Sequence, residues 1–160
     1  IWAYLFGISS PLRGGEWRLE LRTQYMETVP IPETDDVVRE QIGALAKSAQ
    51  RAAEERRNLM KSFARRVLTD LAPGGLSAKL SSKLENWPAM DFKMFGVEVK
   101  RLFKEPIPFA ERDAWQERFE RDRRRVGELS AEILRCQRLL DVAVAKLFGV
   151  TAEEIELMER

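Results

Sequence analysis

Apolar residues recur at alternating steps of four and three over residues 109–149. They read Trp115, Phe119, Val126, Leu129, Ile133, Cys136, Leu140, Ala143 and Leu147, with Asp122 as the one polar member. A 4-3 step keeps one seam of a helix turned toward a partner helix. Arg, Glu, Leu and Ala dominate the stretch and no proline interrupts it, so propensity agrees with pattern. About forty residues at 1.5 Å rise predict a rod of roughly 60 Å, which needs an equally long partner. The same step over Val38, Ile42, Leu45, Ala49, Ala52, Arg56, Leu59, Phe63 and Arg66 supplies one. Thr34, Asp35 and Asp36 precede it with groups that cap a helix and suit its positive end. Arg56 is a polar exception on that seam. It either fixes the register of the pair or packs its stem at the edge with its head in water.

Between the rods, Pro73-Gly74-Gly75 ends the first helix. A short helix over 77–87 would carry Leu80, Leu84 and Trp87, and Phe92, Phe95, Val99 and Leu102 or Phe103 follow at helical spacing. This aromatic cap reverses the chain, so the rods are expected to run antiparallel. Pro106 and Pro108 end the cap. At the far end Gly149 stands where a left-handed C-terminal residue belongs, and Thr151-Ala-Glu-Glu154 is a capping box. A closing helix over 152–160 would offer Ile155 and Leu157 or Met158 to a neighbour.

The first part of the chain is patterned differently. Ile1, Trp2, Leu5, Phe6 and Ile8 read as the end of a buried helix, and the Pro11 and Gly14-Gly15 segment as a loop. Trp17, Leu19 and Leu21 alternate with Glu16, Arg18, Glu20 and Arg22, which predicts a short half-buried strand. Pro30 and Pro32 then hold Val29 and Ile31 extended. The chain opens without methionine inside a hydrophobic segment and reads as a piece of a longer protein. The expected fold is mainly α: two long antiparallel coiled-coil-like helices (35–71 and 109–148) capped by short helices over 77–103. A small strand and loop edge (1–33) precedes the helical part (34–160).

Composition narrows the chemistry. The 160 residues carry 27 Lys and Arg against 26 Asp and Glu, a net charge of +1, so no global field marks a nucleic-acid partner. There is no histidine, which removes Ser-His-Asp and Cys-His catalysis and every His-containing zinc site. The single cysteine, Cys136, lies on the apolar seam and reads as a buried small hydrophobe. One cysteine forms no intrachain disulfide and leans toward a reducing, cytoplasmic setting. No run of about 18 apolar residues predicts a transmembrane helix. Neither a P-loop nor a dinucleotide glycine pattern is present. The paired carboxylates Asp35–Asp36 and Glu153–Glu154, like Glu111 and Asp113, stand at helix starts, where capping explains them. Residue chemistry alone points to no enzyme and to no cofactor.

Basic clusters remain. Arg121 with Arg123, Arg124 and Arg125 forms one block; Arg56, Arg57, Lys61, Arg65 and Arg66 form another. Each is interleaved with acids such as Glu54, Glu117, Glu120 and Asp122. They read as solvated helix faces laced with i,i+4 pairs, or else as a phosphate-binding stripe. Arg13, Arg18 and Arg22 sit beside Trp17 and Tyr25 on a Gly-containing loop and strand. That set either touches a DNA backbone or base edge or forms an ordinary charged edge.

Two passages resemble one known family. Arg13, Gly14, Gly15, Trp17, Arg18, Gln24, Tyr25, Pro30, Ile31 and Pro32 are similar to the end of a target-recognition domain in restriction-modification enzymes. Asp141, Val142, Val144, Leu147, Phe148, Gly149, Thr151, Glu153, Glu154 and Ile155 are similar to the C-terminal tail of the same proteins, with Phe148 where the family usually shows tyrosine. The family is the single-chain N6-adenine DNA methyltransferases that carry their own specificity, including type IIG restriction enzymes and phage-exclusion methylases. Its Asn/Asp-Pro-Pro-Tyr and S-adenosylmethionine motifs do not occur in this chain. The resemblance therefore implies the helical spacer and last recognition edge of such an enzyme, with no catalysis and no cofactor of its own. It implies Arg13, Arg18, Arg22, Gln24 and Tyr25 as DNA contacts. The implied partners are double-stranded DNA, an upstream methyltransferase domain and a second copy of the chain. The rival expectation is a structural coiled-coil module for protein–protein assembly, docking through Trp2–Phe6 and Ile155–Met158.

Overall fold

A computed structural model describes residues 32–151 and Glu154. Among them the architecture is helical, without a strand: α1 (Asp36–Leu71), α2 (Ser82–Glu85), α3 (Phe92–Phe103) and α4 (Arg112–Leu147), with 3-10 turns at Gly75–Ser77, Trp87–Ala89 and Phe109–Glu111. The strand expected over 16–22 and the helix end expected over 1–8 lie outside the described residues. So does the closing helix 152–160, apart from Glu154. The chain divides into two compact units, Ile1–Gly43 with Leu140–Arg160, and Ala44–Leu139.

In the first unit the described parts are a helix start and a helix end, both built by local side chains. The Asp35 carboxylate accepts from the Val38 N–H at 2.8 Å, which makes Asp35 the N-cap of α1. Asp36 in the first turn holds the Arg39 guanidinium at 2.8 Å. At the other end Gly149 adopts φ +67°. Its N–H reaches the Lys146 carbonyl at 3.1 Å, and the Val150 N–H reaches that of Ala145 at 2.9 Å. These two bonds are the Schellman closure. The capping box then forms in both directions. Thr151 Oγ1 accepts from the Glu154 N–H at 3.3 Å, and a Glu154 carboxylate oxygen accepts from the Thr151 N–H at 2.8 Å. The Thr151 N–H bond, followed by one from the Thr151 hydroxyl at 3.0 Å, holds the Glu154 carboxyl below its ordinary pKa.

In the second unit the connecting segment departs from expectation. A single helix over 77–87 does not form. The Ser81 hydroxyl accepts from the Leu84 N–H at 3.3 Å and starts one turn, Ser82–Glu85; the Trp87–Ala89 turn, with Pro88 early in it, follows. A serine whose hydroxyl can take a free backbone N–H favours a new start over a continued helix. Asp91 caps α3 through the Met94 N–H at 2.7 Å. Lys104 ends α3 in the left-handed region at φ +68°, its N–H on the Lys100 carbonyl. The first residues of the expected 109–148 helix wind as a 3-10 turn, because no side chain caps it and the Glu111 N–H bonds back to Pro108.

The core of this unit is a cluster of rings. Phe63 of α1 stacks on Trp87 at 4.0 Å between centroids and meets Trp115 edge-on at 6.0 Å. Phe119 of α4 lies 5.1 Å from Phe95 of α3 and 5.5 Å from Trp87. Trp87, Phe95 and Phe119 are fully buried. Such edge and stacked pairs each add about 0.5–1.5 kcal/mol beyond burial of area. Outside the ring cluster the buried apolar positions of this unit are Ala52 on α1 and Leu129 and Cys136 on α4. The contacts that join the two helices there are polar. Ser48 donates to Glu132 at 3.0 Å, and Arg125 meets Glu55 at 2.7 Å. With the ring contacts, partners rise in number along α1 as they fall along α4. The seam reading needs one correction: Arg66 is exposed and Val67 is buried in its place. The 3.6-residue turn drifts off a strict 4-3 repeat, so the buried face moves on by one position.

Candidate nucleic-acid interface

The sequence singles out arginines, and the structure sorts them by partner. Arg13, Arg18, Arg22, Gln24 and Tyr25, the expected DNA contacts, lie outside the described residues. Within Ala44–Leu139, Arg121 sits on the Asp122 carboxylate at 3.0 Å, and Asp122 is itself buried on the inner face of α4. Arg125 is held by Glu55 and by Glu128, at 2.7 and 3.3 Å. Hydrogen bonds to Glu55 first and Glu128 second raise its pKa further. Both are paired with acids, but not in the i,i+4 pattern of the solvated-face reading: the partners stand one residue on, three residues on and across on α1.

Arg56 and Arg123 are different. Arg56 is half-buried, and its Nη1 donates to Ser130 Oγ at 3.3 Å, while Ser130 donates to the Val126 carbonyl at 2.7 Å. Arg123 Nε donates to the Pro88 carbonyl at 3.1 Å. Both anchors are neutral. Neither guanidinium has a carboxylate partner among the described residues. Both line a cleft of about 590 Å³ with Met60, Pro88, Gly127 and Ser130, and no carboxylate lines it. The Arg56 head therefore bonds across to α4 rather than resting in water alone, as the edge reading has it. A guanidinium fixed by one neutral bond keeps its other N–H groups for an oxyanion, and its planar fork suits phosphate. An open groove of about 740 Å³ shares Arg56 and Met60 with this cleft; Arg57 and Lys61 line it together with Glu54 and Glu85.

Two features lie outside what the sequence singles out. Ser130 and the Pro88 carbonyl carry no signal of their own, since their role depends on which helix faces them. Glu98 is a buried carboxylate on α3, held by Arg101 Nη2 at 2.7 Å and by Lys83 Nζ at 3.3 Å. The Arg101 hydrogen bond is the main force holding its carboxyl below the ordinary value; burial opposes it and Lys83 assists. The i,i+3 spacing of Glu98 and Arg101 was the available hint. Cys136 is fully buried, as its seam position predicts. Among the described residues no group of three or more His, Cys, Asp or Glu side chains is placed to hold a metal ion. No described helix is long and apolar enough to cross a membrane.

Residues 35–144 match a family model described as Domain of unknown function (DUF8810). No curated protein and no solved structure matches the chain.

Proposed function

The chain belongs to that DUF8810 family, and for it we propose the role of helical spacer and last recognition edge in a single-chain N6-adenine DNA methyltransferase of a restriction-modification system. It contributes position and DNA affinity, and the chemistry with its S-adenosylmethionine belongs to an upstream domain. The two long helices act as an antiparallel, coiled-coil-like pair. The observation that carries the positioning role is the ring cluster. Phe63, Trp87, Phe95 and Phe119 bring α1, the connecting segment, α3 and α4 onto one centre, which fixes how those elements leave it. The DNA part of the reading rests on the sequence resemblance of 13–32 and 141–155. It gains support from Arg56 and Arg123, which have no carboxylate partner among the described residues.

The test is a gel shift on random duplex DNA at low and moderate salt, with this chain and with the full-length protein. Replacing Arg18 and Arg22 by alanine in the full-length protein is expected to weaken binding and flatten its salt dependence, since each lost phosphate contact lowers the slope by about 0.9. Unchanged affinity and slope overturn the assignment of those residues. A second reading, a module for protein–protein assembly, has its own observation: Leu134 and Leu139 are 48% and 45% exposed on one stretch of α4. A stable dimer that ignores DNA and is broken by Leu134→Glu supports it over the first.

A further inference from the structure

A third basic site lies on the cap, away from both arginine blocks. Lys93, Gly96 and Lys100 fall on one face of α3. Lys104 ends that helix in a left-handed turn. The chain then brings Ile107 and Arg112, the first residue of α4, alongside the same face. The result is a pocket of about 230 Å³ with three cationic side chains in its lining and no acidic one. Its lining also includes the buried Ile107 and the half-buried Phe92.

The charges are unspent. Lys93, Lys100 and Arg112 have no ion-pair partner among the described residues. The one acid of α3, Glu98, is engaged by Arg101 and Lys83 and does not line the pocket. Three like charges around so small a space repel one another, and an anion seated among them relieves that repulsion. Gly96 leaves room for the approach: a Cβ placed there would meet nothing within 4 Å. The volume suits a phosphate with part of a sugar, and the apolar residues of the lining suit the carbon face of that sugar.

We infer that this pocket is a phosphate-binding site through which the helical module grips the backbone of duplex DNA. The identity of the source rests on the proposed function above; the phosphate chemistry does not. The grip is sequence-independent and adds affinity to whatever the recognition edge reads.

The experiment uses the whole chain, the variant Lys93→Ala/Lys100→Ala/Arg112→Ala, and a control, Lys47→Ala/Lys79→Ala/Arg138→Ala, that removes equal charge elsewhere. All six side chains are exposed, so both variants are expected to fold, and circular dichroism of each checks it. Affinity for a short random duplex is followed against salt, and the Gly96 amide is followed by NMR during titration with inorganic phosphate. The expected result is a log–log salt slope shallower by about 2–3 in the pocket variant, with the control near wild type. A saturable Gly96 shift that disappears only in the pocket variant is expected alongside it. Equal slopes with that Gly96 shift retain the site but make free phosphate its source. A chain that binds no duplex yet shows the shift removes the DNA reading and keeps the site. Equal slopes, or no duplex binding, without a saturable Gly96 shift overturn the inference.

Discussion

The unit Ala44–Leu139 is joined in two ways. At its ring end, α1 meets the connecting segment, α3 and α4 through stacked and edge-on aromatics with almost no exposure. In its middle, α1 meets α4 across the small Ala52, with Ser48–Glu132, Arg56–Ser130 and Glu55–Arg125 bridging the gap. The first kind of contact is large, dry and irreplaceable in shape. The second is polar, partly wet and worth little per bond. Stability should therefore be concentrated at the rings, and the middle should tolerate substitution better.

The sharpest way to break this contrast is Phe119→Ala. Removing a fully buried ring that touches Phe63, Trp87 and Phe95 should cost about 3–5 kcal/mol in urea unfolding. Leu129→Ala, the best-buried aliphatic of the middle, should cost less, about 2–3 kcal/mol. If the order is reversed, the ring end is not the anchor. Ser130→Ala takes the acceptor from Arg56 and should cost about 1 kcal/mol by the same measurement.

A pH titration sharpens the comparison from the ring side. Glu98 ties α3 to Lys83 beside the rings. Its folded pKa lies below the ordinary value of 4.5, so the unfolded chain binds its proton first as pH falls. The stability this gives is complete above that value and is lost as pH drops through the lowered folded value. Glu98→Gln should therefore be less stable than wild type at neutral pH, and the gap should close on acidification below about 4.5. A gap that stays constant with pH would falsify the ionic role. The smallest effect belongs to Glu55→Ala. The Arg125–Glu55 pair is 46% and 52% exposed, so its loss should cost no more than a few tenths of a kcal/mol and vanish in high salt.

What could be read from the sequence follows the range of the forces involved. The two long helices were legible because burial imposes a period over many turns, and the seam found Phe63, Trp115, Phe119, Leu129 and Cys136. The ends at Asp35, Gly149 and Thr151–Glu154 were legible because a cap is a bargain between near neighbours. Reading failed where a local choice competed with packing or where the deciding partner was distant. Ser81 splits the expected 77–87 helix by a local hydrogen bond that competes with packing. Lys104 takes a left-handed conformation that glycine would have announced. Arg56 and Ser130 are ordinary polar residues until two helices face each other. The pocket of Lys93, Lys100 and Arg112 needs a turn that no spacing rule supplies. Arg13, Arg18, Arg22, Gln24 and Tyr25 remain an expectation from resemblance.

The ring cluster also bears on the order in which the chain assembles. Phe63 and Phe119 belong to helices far apart in sequence, and closing a loop costs about 0.6 kcal/mol more for each doubling of its length, so their direct contact closes the less favourable loop. Trp87 lies roughly midway between them and touches both. If α1 first collects Trp87 through Phe63, the remaining loop to Phe119 is about half as long, and Phe95 narrows it again before α4 docks. Assembly then proceeds in short closures rather than one long search, which favours fast folding for a topology whose terminal partners are distant. Trp87 is thus a staging post: removing it should slow refolding as well as speed unfolding.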